Sequence, residues 1–288
     1  MNFETIGVPV IGGELNVGVH EGAQGAPAVV LIHGITANHH TWSLVADHLS
    51  DLTLLAPDLR GRAGSASLPG PYGMRSHARD VVAILDHVGV DTATIVGHSM
   101  GGFVTAAVAV DYPERVAGLV LVDGGVTIAE VPAGTDIDAV LTQILGPTMQ
   151  RLSMTFDSLD SWLAFWKQHP SLQEWNDTIE AFVMADMVGE PPNLRSGCNV
   201  EAIRADGADT LGDGGLLFRQ VTRPMPWLRA PRGLLNAEPL YSDAVAAQMV
   251  AEYPMLRDIL VEDVNHFTIT VSDRGAKAVA EVIRTQVP

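Results

Sequence analysis

The residues with chemistry to offer gather around Ser99, at the centre of Gly97-His98-Ser99-Met100-Gly101-Gly102. An apolar run, Thr94-Ile95-Val96, leads in, and a helix-compatible run, Phe103 to Val110, leads out. A strand that turns sharply into a helix holds its corner residue in a strained backbone geometry. Gly97 and Gly101 lack the Cβ atoms that would clash there. Such an elbow lifts a serine oxygen clear of a sheet, and the helix N-terminus behind it favours developing negative charge. The competing reading is a tight turn whose serine caps a helix. The strand before Ser99 and the small-residue helix after it favour the elbow.

A serine hydroxyl is a weak nucleophile at neutral pH. It needs a base to take its proton, a group to orient that base, and donors for the oxyanion that forms. On an α/β sheet these partners follow in the order serine, acid, histidine. His266 is the expected base, because it follows the last strand and precedes the last helix and can reach over the sheet edge toward Ser99. His98 adjoins the nucleophile, but its side chain is expected to point elsewhere. His39 and His40 lie in a loop, and with His33 they could suggest a metal. No carboxylate stands at useful spacing, so no metal is expected. The backbone N–H groups of Met100 and of Ile35, after His33-Gly34, are the expected oxyanion donors. His33 is expected to organise that loop by hydrogen bonding.

The surrounding sequence must position these groups. Ile6 to Val10 and Leu15 to Val19 alternate in polarity around Gly12-Gly13, which predicts an antiparallel hairpin with one wet face. Ala28 to Ile32 is a continuous apolar run, as in a strand buried on both faces. Leu52 to Ala56, Ala93 to Val96 and Val116 to Val122 read as further strands. Helical spacing runs over Trp42 to Leu49, Ser76 to Val88 and Met100 to Val110. This alternation predicts an α/β fold, a mostly parallel sheet with helices on both faces. Ligands of such sheets bind beyond the carboxyl ends of the strands. His33, Asp58, Ser99 and Asp123 all fall at or just beyond such ends.

From about Thr127 to Arg229 the alternation stops. Helical patches replace it at Ile137–Leu145, Leu159–Gln168, Ser171–Met187 and Val200–Ala205. The expectation is a helical cap, residues 127–229, inserted into a core of residues 1–126 and 230–288. Trp162, Trp166 and Trp175 lie in this insertion. Their helical spacing fits internal packing; the functional alternative is an apolar substrate pocket between cap and sheet. The sheet is expected to resume at Gly233-Leu234-Leu235. A helix over Ser242–Glu252, a last strand over Asp258–Val261 and an amphipathic helix over Ser272–Gln286 complete the chain.

Composition narrows the partners. The net charge is −17, which repels nucleic acid and anionic lipid, so neither is expected. Hydrophobic residues make up 47% of the 288, ample for a sizeable core. The single cysteine, Cys198, excludes an intrachain disulfide and reads as a small filler residue. No apolar run approaches bilayer-spanning length. The stretch Met1-Asn2-Phe3-Glu4-Thr5 lacks a basic region followed by an apolar one, so a cytoplasmic protein is expected. The oligomeric state is left open.

His33-Gly34, Asp58-Leu59-Arg60-Gly61, Gly97 to Gly102 and Asn265-His266-Phe267 resemble, in order, the signatures of the α/β-hydrolase superfamily. The motifs span nearly the whole chain outside the cap. A serine at position 99 resembles the esterases, lactonases and carbon–carbon bond hydrolases, not the haloalkane dehalogenases or epoxide hydrolases, which carry Asp there. One departure affects the acid. Most family members carry it in a G-x-x-D-like segment after the strand that follows the cap. Here that segment reads Asn236-Ala237-Glu238-Pro239-Leu240, with Leu240 at the matching position. The resemblance leaves Asp123, at the end of the strand after the elbow helix, as the preferred acid, Glu238 as the alternative and Asp243, as a helix cap, third. Asp58 and Arg60 are expected to fix their loop. The implied activity is hydrolysis of a small apolar ester or lactone through an acyl-enzyme, without a cofactor. The rival readings are a carbon–carbon bond hydrolase of diketone-like substrates and a ligand-binding receptor or pseudoenzyme.

Overall fold

The computed structural model describes residues 1, 3–127, 131–132 and 134–288; for residues 145–149 only the backbone course is described. The chain opens with β1 (Glu4–Val10) and β2 (Gly13–His20), paired antiparallel. β3 (Ala28–Ile32), a short α1 (Ser43–Asp47), β4 (Thr53–Pro57), α2 (Met74–Val88), β5 (Ala93–His98), α3 (Met100–Asp111) and β6 (Val116–Val122) follow. The inserted stretch holds α4 (Ile137–Leu152), α5 (Leu159–Lys167), α6 (Asp177–Ala185), the small antiparallel pair β7 (Met187–Val188) and β8 (Arg195–Ser196), and α7 (Val200–Leu211). β9 (Met225–Arg229), α8 (Asp243–Glu252), β10 (Leu256–Leu260), α9 (Thr268–Val271) and α10 (Asp273–Arg284) close the chain.

One eight-stranded sheet runs in the order β1-β2-β4-β3-β5-β6-β9-β10. β2 meets β4 antiparallel, and every pairing from β4 to β10 is parallel. Side-chain alternation splits each central strand between two apolar layers. In β3, Val30 and Ile32 pack with α2 and α3, while Val29 and Leu31 pack with α1 and α10. Both faces are covered, which is why these strands read as unbroken apolar runs. No helix among the described residues is long and apolar enough to cross a membrane.

The sheet returns earlier than expected. The strand beside β6 is Met225–Arg229, buried throughout, and Gly233–Leu235 lies in a turn. Met225–Arg229, expected within the insertion, thus pairs inside the main sheet. Pro226 masks this strand in the sequence, since proline within a run argues against a central strand. The expected helix over Ser171–Met187 is shorter, because Asn176 accepts from the Ile179 N–H and starts α6 only at Asp177. Conversely α7 runs through the Gly- and Asp-bearing stretch to Leu211.

The inserted stretch packs into a third apolar cluster, which it shares with Val271 of α9. Trp162 and Trp166 are buried with Phe156 and Phe182. Trp162 meets Phe156 edge-on at 5.1 Å, and its indole N–H donates to the Val183 carbonyl. Arg151 lies 4.8 Å from the Trp166 ring and pairs with buried Asp186.

Candidate active site

Ser99 stands between β5 and α3 with φ 54° and ψ −121°, a conformation that a non-glycine residue adopts only when its surroundings enforce it. Three glycines make room for it here. A Cβ on Gly97 would collide with the Gly101 carbonyl, one on Gly101 with the Ile32 carbonyl, and one on Gly124 with the Ser99 backbone. Met100 is the first residue of α3, so its N–H has no preceding helical turn to bond.

His266 follows β10 in a loop that side chains hold from several directions. Its backbone N–H donates to the Arg232 carbonyl at 2.9 Å. Asn265 Oδ1 accepts from the N–H groups of Phe267 and Thr268, and Asn265 Nδ2 donates to the Ser171 carbonyl and to Asn236 Oδ1. Asn236 lies in the segment where the superfamily pattern leads one to look for an acid. Here it steadies the histidine loop through Asn265.

His266 Nδ1 lies 2.8 Å from Asp123 Oδ2. Asp123 is fully buried, and its other oxygen accepts from the Ala230 N–H at 3.0 Å. Its own backbone N–H donates to the Leu228 carbonyl, which ties the end of β6 to β9. Glu238 is exposed. Asp243 is also exposed and pairs with Arg229; Ser242, not Asp243, caps α8.

His98 does not point away from the site. Its ring lies 4.7 Å from the His266 ring, and its Nε2 donates to the His266 carbonyl at 2.8 Å. Burial holds its imidazole well below the usual histidine range, and nearby His266 adds to the effect. Sequence reasoning missed this support. Its signal was position alone, next to Ser99 at a strand end.

The loop after β3 is pinned on both sides of Ile35. His33 Nδ1–H donates to the Gly34 carbonyl at 2.7 Å, and His33 Nε2 accepts from the Leu59 N–H at 2.9 Å. A backbone carbonyl only accepts and a backbone N–H only donates, so these contacts fix the tautomer. Burial pushes the imidazole down to about 4. Beyond Ile35, its carbonyl accepts from Arg62 Nε at 2.9 Å. Asp58 and Arg60 hold neighbouring turns. Asp58 accepts from the His39 N–H, His39 Nδ1, Asn16 and the Gly64 N–H, and Arg60 grips Asp80 with two donors.

Ser99, His266, His98, Ile35 and Met100 line one cavity of about 160 Å³. The insertion closes it with Leu141 and Ile144 of α4, Phe182 of α6 and Gly207, Thr210 and Leu211 of α7. Phe103, Leu234, Leu240 and Phe267 supply further apolar wall. Among the described residues the lining contains no Asp, Glu, Lys or Arg. The tryptophans expected in this pocket are not among its described lining. Trp162 and Trp166 lie in an apolar cluster with Phe156, Phe182 and Val271, and Trp175 borders a separate polar cleft with Arg232 and Asn265. A helical aromatic stripe buries equally well inward or against a ligand, and here inward packing won. Cys198 is buried beside Asp186, and burial pushes its thiol up to about 12, the state of an inert filler.

A family model described as the α/β hydrolase fold matches residues 27–189. The chain belongs to that family. Among curated relatives, lipase LipV of Mycobacterium tuberculosis is 34% identical over 120 residues, 42% of this chain and 46% of that protein. The 3-oxoadipate enol-lactonase 2 of Acinetobacter baylyi is 30% identical over 108 residues, 37% of this chain and 40% of that protein. The chain thus spans less than half the length of these relatives. The solved structure of E-2-(acetamidomethylene)succinate hydrolase matches with a TM-score of 0.77 over 98% of this chain and 99% of that one. At 23% identity this is a likeness of fold.

Proposed function

We propose that this α/β-hydrolase-fold protein is a serine hydrolase that cleaves small, uncharged apolar esters or lactones through an acyl-enzyme. The observation that carries the reading is a strained Ser99 and an Asp123-backed His266 on the wall of one apolar cavity. With its Nδ1 proton directed at Asp123, His266 keeps a lone pair on Nε2. It takes the Ser99 proton as the hydroxyl attacks the carbonyl, and returns it to the leaving alcohol. A water then loses its proton to the same nitrogen as it attacks the acyl carbon, and that proton passes to Ser99 Oγ as the acid is released. The Ile35 and Met100 N–H groups receive the oxyanion. A trans peptide sets C=O and N–H on opposite sides, so His33, by holding the Gly34 carbonyl, aims the Ile35 N–H the other way.

The wall chemistry supports the substrate class. Burying a substrate carboxylate without a counter-charge is strongly unfavourable, and none of the described lining residues offers one. The lipase and the enol-lactonase among the relatives are consistent with acyl transfer to water. We assign α4 to α7 as a cap that shapes the cavity, with the core resuming at β9.

The test is a panel of p-nitrophenyl esters of graded chain length, neutral lactones and carboxylate-bearing esters, with a serine-reactive phosphonate. Turnover of the neutral apolar members and a phosphonate adduct on Ser99 are expected. An adduct elsewhere with loss of activity, or faster turnover of anionic esters, overturns the reading. Release of a ketone and an acid from a diketone, with esters untouched, would assign carbon–carbon bond hydrolysis instead.

A further inference from the structure

Arg62 and Asp206 form a buried ion pair that the proposed chemistry does not consume. Both side chains are fully buried, and Arg62 NH1 lies 2.5 Å from Asp206 Oδ2. Arg62 follows β4 in the core, and Asp206 sits on α7 of the cap. Burial opposes the charge on Asp206, but His77 and Arg62 outweigh it and hold the carboxyl well below its ordinary range. Asp206 also accepts from His77 Nε2 at 3.0 Å and from the Gly73 N–H at 2.6 Å.

The remaining donors of Arg62 reach the oxyanion loop. Nε donates to the Ile35 carbonyl at 2.9 Å, NH1 to the Arg60 carbonyl at 2.6 Å, and NH2 lies 3.9 Å from Met100 Sδ. One guanidinium therefore touches both residues whose N–H groups would bind the oxyanion. Its planar fork makes this possible; a lysine has one charged nitrogen and cannot span the same partners. The same helix that supplies Asp206 lines the substrate cavity with Gly207, Thr210 and Leu211. α7 seats closely on the core there: the Asn199 N–H donates to the Gly61 carbonyl, and Gly61 has no room for a Cβ against Ala202.

We propose that Arg62 is a positioning residue for the oxyanion hole, held in place by Asp206, so that the docked cap sets the catalytic geometry of Ile35 and Met100. This rests on the serine-hydrolase reading above. The pair acts through the loop and does not touch substrate. Loosening it should weaken binding of the oxyanion more than binding of the ground-state ester.

The experiment uses the double variant Arg62→Met/Asp206→Leu. Replacing a buried ion pair by apolar residues of similar volume is often neutral or stabilising, but Asp206→Leu also removes the acceptor of His77 and of the Gly73 N–H. Circular dichroism therefore checks the fold before rates are compared, and Arg62→Lys, which keeps Asp206, carries the test if the double variant is unfolded. The kcat of the double variant on the best ester should fall about 10- to 100-fold with KM within about twofold, short of the 10²- to 10³-fold cost of deleting an oxyanion donor outright. The inhibition constant of a trifluoromethyl ketone, which forms an oxyanion adduct on the serine, should rise in parallel with the loss in kcat/KM. A kcat within twofold of wild type, whatever the melting temperature, overturns the proposal. Arg62→Lys supplies the second arm: it keeps the charge but loses the fork, so it should show the same kcat loss and the same weakened ketone binding. If it matches wild type in both, the pair is only structural. Wild-type protein that neither turns over esters nor takes the phosphonate on Ser99 would refute the hydrolase reading itself, a different outcome from an active wild type with unaffected variants.

Discussion

Acid should unfold this protein partly through His33. In the unfolded chain an imidazole titrates near 6.5, whereas burial brings His33 to about 4 in the folded state. Between those values the unfolded chain binds a proton that the folded chain refuses. Stability therefore falls as pH drops through that window and is unaffected by this group above it. Evaluated from pH 7 to pH 5, the difference amounts to about 2 kcal/mol from His33 alone. The local reason is steric as well as dielectric: a proton on Nε2 would face the Leu59 N–H that now donates to it. His33→Gln removes the titration and leaves an amide oxygen to accept from Leu59. Urea unfolding at pH 7, 6 and 5 should show a shallower decline for the variant, by about 2 kcal/mol over that range. The slope with pH, not the absolute stability, is the readout. Groups remote from His33 titrate in both proteins and cancel in the comparison. Parallel pH profiles for wild type and variant would refute the reasoning.

Three further variants test the site and the inserted stretch. Asp123→Asn should lower kcat by about 10⁴, the precedent for this change in a serine protease triad. Glu238→Gln should stay within roughly tenfold, about 1.4 kcal/mol of transition-state stabilisation; the reverse ranking in steady-state kinetics, with both variants folded by circular dichroism, would move the acid to the loop after β9. Trp162→Ala should destabilise the protein by about 3–5 kcal/mol, as for large buried side chains. The ranking of acyl chain lengths should stay unchanged; a collapsed preference for longer chains in folded variant would place Trp162 against the substrate.

Legibility in the sequence followed the physics of each part. β3, β5 and β6 could be read because burial on both faces demands unbroken apolar runs, and the polar residues that end them mark the side where ligands bind. β9 was hidden by Pro226, whose missing N–H matters less than its neighbours' burial between β6 and β10. Ser99 and His266 stand out as candidates through local context, an elbow and a turn after the last strand. The contacts that support them do not. His98 looked like a bystander because a motif gives no ring orientation. Asp206 lay in a stretch rich in Gly and Asp, and nothing local says that its carboxylate crosses to Arg62. Tryptophan spacing could not separate cap core from cavity wall, because both bury the same stripe.

The paired imidazoles explain why so much of the proposed catalysis must rest on Asp123. When His266 takes the serine proton it becomes a cation. A second charged ring 4.7 Å away would oppose that step. Burial keeps His98 neutral, and its Nε2 proton is engaged by the His266 carbonyl, so it presents no such charge. The cavity side is apolar, and its described lining supplies no carboxylate. The described counter-charge within hydrogen-bond distance of His266 is Asp123, whose second oxygen is already satisfied by the Ala230 N–H. An asparagine there would keep the shape and lose the charge at the one edge where the imidazolium is compensated. In the proposed step the neutral neighbour and the apolar wall thus leave the acid at the end of β6 as the compensating charge, whereas an exposed carboxylate such as Glu238 would act through solvent that screens it.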